Sequence, residues 1–157
     1  MRRGLTFVPL CLALSPLSAL AQAANPQAAD EVIALVKAEW AAGRQKNVAD
    51  AMKSIAEDCT QFTADAATRV EGKALLTRTT EAGNKDSGTT LTDEMLNPKV
   101  QIYGDVAIVS YNYFGQAQDK DGKVTASRAK STRVYAKQAG KWMLVHANFA
   151  PDPLPRQ

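Results

Sequence analysis

Arg133, set between Thr132 and Val134 inside a β-branched run, has the strongest claim to chemistry in this chain. Strand alternation turns its guanidinium to the face shared by Ser131 and Tyr135. If that face is interior, the charge must be balanced by an anion, because an uncompensated buried guanidinium costs several kcal/mol. Three readings stay open: a structural ion pair with Glu71, Asp93 or Glu94; a bound small molecule held through its own anionic group by the forked donors; or simple exposure. Tyr111 and Tyr113 share one face of another strand and can either offer phenols to a ligand or pack with one satisfied hydroxyl each. His146, the chain's single histidine, is expected on the same strand face as Trp142, Leu144 and Asn148. It reads as a hydrogen-bonded structural group or as a pocket ligand. The candidate ligand-binding set is therefore Arg133, Tyr113, His146, Tyr111, Asn148 and Tyr135, with no catalytic residue singled out. No set of histidines and cysteines has metal-ligand spacing, and no cofactor motif is present.

The elements that must position these residues follow from periodicity. After a polar lead-in at 25–29, Val32, Ile33, Val36 and Trp40 recur at helical spacing, with Lys37, Glu39 and Arg44 assigned to other faces. Asn47 is a fitting N-cap for a second helix over 47–57. A short strand at 60–63, a turn at 65–68 and a return at 69–71 come next, and Gly72 introduces a third helix that fades at Gly83-Asn84. From Thr89 onward β-branched and aromatic residues dominate, with breaks at Asn97-Pro98, Gly104-Asp105, Asp121-Gly122 and Gly140. That predicts four strands in an antiparallel meander. Helices gathered early and strands late indicate an α+β domain. Asp119-Lys120-Asp121-Gly122 resembles the start of a calcium loop, but the later acidic ligands are missing and Asp-Gly suits a tight hairpin.

Residues 106–114 are apolar or aromatic on both sides of the pleat, with Ala107, Val109, Tyr111 and Tyr113 on one side. Helices are expected to cover one face and a second copy of the chain the other, giving a homodimer or larger assembly.

Residues 1–23 combine Arg2 and Arg3, an apolar run over 5–20 and the small triplet Ala21-Gln22-Ala23. This is the layout of a cleavable secretory signal, so a periplasmic or secreted protein is expected. The paired arginines also admit the twin-arginine route. Without 23 of its 157 residues the chain keeps 134, enough for one domain at 24–150 with a proline-rich tail at 151–157 that runs along the surface. The leader carries two of the net +3 charges and the remainder is close to neutral, so no basic stripe argues for nucleic acid. No membrane association is expected once the signal is removed. Only Cys59 remains after cleavage, which reads as a small buried apolar group rather than a nucleophile.

Beyond these physical signals, the chain resembles the association domain of calcium/calmodulin-dependent protein kinase II, within the nuclear transport factor 2-like (SnoaL-like) superfamily. The matching residues are Leu96-Asn97-Pro98, Gly104-Asp105, Tyr111, Gln116, Asp119, Gly122, Ser127, Thr132-Arg133-Val134, Gly140-Lys141-Trp142, Val145-His146 and Ala150-Pro151, with Val70-Glu71-Gly72 upstream. The resemblance implies a cone-shaped, curved antiparallel sheet wrapped around the N-terminal helices, enclosing a pocket and dimerising through its outer face. It also implies two departures. The kinase members carry a further pocket arginine where this chain has Tyr113 and a second histidine where it has Asn148. No glycine-rich loop, catalytic lysine context or His-Arg-Asp motif is present, so no kinase activity is expected.

Together these features predict an exported, self-associating cone-fold domain whose pocket takes a small organic molecule, an anionic one included. Two alternatives stay open. One is a cofactor-independent enzyme of the SnoaL-like isomerase or cyclase type, or a relative labelled as an oxidoreductase, needing a carboxylate base from Glu71, Asp93 or Glu94. The other is a purely structural oligomerisation module.

Overall fold

A computed structural model describes residues 26–64 and 66–152. The expected leader, residue 65 of the expected turn and residues 153–157 of the tail lie outside the described residues.

The amphipathic pattern at the start becomes α1 (Pro26–Arg44), with Val32 and Val36 fully buried. The helix includes residues expected as lead-in, because proline is well tolerated at a first helical position, where its missing N–H would have had no partner. Asn47 does cap α2 (Val48–Ala51), its side chain accepting from Asp50 N. That helix is far shorter than the expected 47–57. Its second half is instead the opening of β1 (Ile55–Phe62), whose Ile55, Ala56 and Cys59 are buried in the sheet. Leu144 N donates to Ser54 O at 2.7 Å, so pairing with a strand distant in sequence outweighs the local helical preference. β2 (Val70–Glu71) folds back antiparallel on β1, and Gly72, with φ of 83°, turns the chain into α3 (Lys73–Asp86). The helix runs past Gly83-Asn84 because Lys46 Nζ donates to Asn84 O at 3.1 Å and Ser87 O at 2.8 Å, satisfying carbonyls at its C-terminal end.

The meander is as expected: β3 (Thr89–Tyr103), β4 (Val106–Gln118), β5 (Val124–Gln138) and β6 (Lys141–Pro151) pair in succession. Among the described residues the sheet has six strands in the order β2-β1-β6-β5-β4-β3. It is curved and unclosed, the α+β cone fold, and it is mixed: β1 lies parallel to β6. β6 also reaches Pro151, paired with Ala129, one residue into the expected tail. The Asp119 carboxylate accepts from Asp121 N and Lys123 N, both at 2.9 Å, so its role in the structure is to tie the β4–β5 hairpin.

The core lies between α1 and the concave face of the sheet, where Val32 and Val36 meet Ala107, Val109, Tyr135, Leu144 and Ala147. Leu144 is 2% exposed at the seam where β1 joins β6. Leu144→Ala is expected to cost about 2–5 kcal/mol of unfolding free energy, measured from urea denaturation.

Candidate functional site

The concave face opens beside the C-terminal half of α1 into a cavity of ≈ 360 Å³. α1 supplies Trp40, Gly43 and Arg44; β3 supplies Thr90 and Asp93. Tyr111 and Tyr113 come from β4, while Ala129, Ser131 and Arg133 come from β5 and Phe149 from β6.

Arg133 closes its inner end and is 2% exposed. Its Nη1 donates to Glu39 Oε2 at 2.5 Å and its Nη2 to Glu39 Oε1 at 3.1 Å, a bidentate pair, while Nε donates to Tyr111 Oη at 2.9 Å. The counter-ion is thus Glu39, not Glu71, Asp93 or Glu94. Its charge suggests another face of the first helix for Glu39. It stands at i+7 from Val32, however, which puts it on the buried stripe. Burial, the largest single influence, disfavours the charge on Arg133, but the Glu39 carboxylate together with Tyr111 and Tyr135 outweighs it, so the guanidinium holds its proton more tightly than usual.

A second ion pair lies nearer the mouth. Arg44 Nη1 donates to Asp93 Oδ2 at 2.5 Å, linking the end of α1 to β3. Between the two pairs stands an aromatic wall: Trp40 meets Tyr111 and Tyr113 edge-on, with ring centroids 5.7 and 5.4 Å apart. Phe149 faces the Arg133 guanidinium at 5.1 Å. Burial and the negative charge of Asp93 raise the Tyr113 pKa, partly countered by a hydrogen bond from Ser127, so the phenol is a neutral donor at ordinary pH.

Of the residues singled out from sequence, Arg133, Tyr111 and Tyr113 come together in this cavity. Tyr135 sits on the same sheet face but behind it, fully buried, with burial raising its pKa. His146 and Asn148 do not share a face with Trp142 and Leu144. Tyr135 pairs with Leu144 and Arg133 with Ala147, so β6 spends one residue more than β5 over this step. That bulge reverses the alternation and turns His146 and Asn148 to the convex face. There His146 Nδ1 lies 2.9 Å from Thr60 Oγ1, and its ring is edge-on to Phe62.

Glu39, Arg44, Thr90, Ser131 and Phe149 were not singled out from sequence. Two of them left a signal there: Glu39 as an acid on an apolar stripe, and Ser131 by sharing the strand face of Arg133. Of the carboxylates weighed as a base, Glu71 is ion-paired to Arg69 at the far edge, Glu94 pairs with Phe114 on the convex face, and Asp93 alone lines the cavity.

Comparison with known proteins bears on what this cavity belongs to. Residues 28–153 match the family model of the calcium/calmodulin dependent protein kinase II association domain. A calcium/calmodulin-dependent protein kinase type II of Caenorhabditis briggsae is 37% identical over 60 residues, which is 38% of this chain and 11% of the kinase. The chain therefore corresponds to a small part of that relative. The association domain of C. elegans CaMKII superposes with a TM-score of 0.67 at 22% identity, over 80% of this chain and 96% of that one. A nuclear transport factor 2-like superfamily protein of Salmonella enterica gives 0.73 at 14% identity, over 83% and 95%. At these identities the structural likenesses establish the fold.

Glu39→Ala is expected to destabilise the protein by about 3–5 kcal/mol in urea unfolding, since it strands a buried guanidinium, and Glu39→Ala/Arg133→Met to recover most of that loss. Burial pushes the Cys59 thiol up to about 11 from its usual 9.0, reinforced by Glu39 and Asp58. The native state therefore keeps its proton where the unfolded chain releases it, and stability should fall as pH rises from 9 to 11. Urea midpoints of Cys59→Ala should fall less steeply over that window.

Proposed function

Because the chain belongs to the calcium/calmodulin dependent protein kinase II association domain family, we propose that it is a self-associating cone-fold domain that holds a small, uncharged organic molecule in its cavity. The observation that carries the ligand reading is the pairing of charges around an aromatic-walled hollow. Arg133 is held by both oxygens of Glu39 and Arg44 by Asp93, so an incoming anion would have to compete with a carboxylate already in place. At ≈ 360 Å³ the hollow is within the size range of small-molecule sites. Flat rings suit walls made of Trp40, Tyr111, Tyr113 and Phe149, with Tyr113 donating a hydrogen bond at one end. A binding role fits better than an isomerase role, since Asp93, the one weighed carboxylate lining the cavity, already has an oxygen engaged by Arg44.

Self-association is supported by the family and by the convex face. Strand register puts Phe62, Leu96, Tyr103 and Val106 on that face, all among the exposed large apolar residues. Export rests on the leader pattern at 1–23, and the absence of kinase motifs supports a role without phosphoryl transfer.

Benzamide and benzoate share a shape and differ in charge, so they test the reading directly. Benzamide is expected to raise the melting temperature and benzoate to raise it less; a shift from benzoate as large as that from benzamide refutes the uncharged ligand. No shift from any one- or two-ring compound in a broad panel refutes ligand binding itself. Light scattering is expected to show a dimer or larger, and a monomer at micromolar concentration refutes self-association. Fractionation of cells making the full chain should find it outside the cytoplasm.

A further inference from the structure

Gly115 lies on the concave side of β4 two positions past Tyr113, paired with Asp93 on β3 and with Ser127 on β5. It is buried, and no positive φ accounts for a glycine there. What accounts for it is space. A Cβ at this position would stand 2.6 Å from Tyr113 Cζ and 2.9 Å from Cε1, and would press on the hydroxyl oxygen as well. The Tyr113 ring therefore lies along β4 over bare backbone. Its hydroxyl end sits over the strand flanked by those that carry Asp93 and Ser127, and both of these groups act on the phenol.

The geometry points to Gly115 as the specificity-determining position of the cavity: it keeps the Tyr113 ring against the sheet floor, which sets how large a ligand fits and holds the phenol at the rim. This rests on the ligand-binding reading above. The strand cannot yield to a methyl group at 115, because β4 is hydrogen-bonded to neighbours on both sides at this point. The tyrosine side chain yields instead, and its other staggered χ1 states carry the ring off the floor and over the cavity. Trp40, edge-on at 5.4 Å, limits how far it can travel toward α1. A molecule that enters the wild-type cavity then meets a ring in its path, and the hydrogen bond at the rim is lost.

The test is a benzamide titration by NMR on four full-length proteins: wild type, Gly115→Ala, Tyr113→Ala and the double variant, each checked for folding by circular dichroism. Gly115→Ala is expected to weaken benzamide roughly tenfold, by overpacking. In the Tyr113→Ala background the same change should have no further effect, because the ring that it displaces is gone. Equal binding by wild type and Gly115→Ala overturns the inference, as does an equal loss in both backgrounds. A crystal structure of Gly115→Ala with the Tyr113 ring unmoved overturns it without reference to any ligand. If wild type binds no uncharged probe the ligand reading fails and takes this inference with it, whereas binding by wild type that ignores residue 115 defeats this inference alone.

Discussion

The bidentate contact between Arg133 and Glu39 is the constraint around which this domain is arranged. It joins the middle of β5 to the buried stripe of α1, elements separated by most of the chain, with a guanidinium that is 2% exposed. A charge pair so placed is not an efficient source of stability, since taking two ions out of water consumes much of what their attraction returns. Its contribution is geometric. Forked donors accept a carboxylate in one plane and one orientation, so the pair fixes the rotation and axial position of α1 against the sheet in a way that Val32 and Val36 alone do not. Tyr111, bonded to Nε, extends the same network to β4.

The cavity follows from that placement. With α1 held at Glu39, its next turn brings Trp40 over the two tyrosines and leaves Gly43 and Arg44 at the mouth. Arg44 then reaches Asp93, so a second ion pair ties the end of the helix to β3. Small residues do the rest: Gly43, Ala129 and Ser131 leave space where larger side chains would fill the end of the cone. The result is a hollow whose arginines are matched by nearby carboxylates and whose free surface is largely apolar.

Much of this was legible in the residues, and the failures have specific causes. Strand alternation correctly put Arg133, Ser131 and Tyr135 on one face, because β5 is regular through that stretch, and the packing of α1 makes that face the inner one. The same rule failed for His146, because β6 takes an extra residue between Leu144 and His146, and a bulge reverses every later side chain without leaving a glycine or proline to announce it. The second helix was read too long because Ile55 and Ala56 suit a helix end as well as a buried strand. Only β6, aligned alongside from the far end of the chain, decides between them. Glu39 was passed over as a surface acid although its spacing from Val32 and Val36 put it on the buried side.

Local pattern by itself determined the α+β class, the late four-strand meander, the Asp119-Gly122 hairpin and the strand face that Arg133 shares with Ser131 and Tyr135. Each of these depends on neighbours within a few residues, where steric preference and periodicity act. Tertiary structure alone decided which carboxylate meets the guanidinium, which side of the sheet His146 occupies and why position 115 has no side chain. Those outcomes depend on register between distant strands and on the packing of a helix across them, and a periodic pattern carries no information about either.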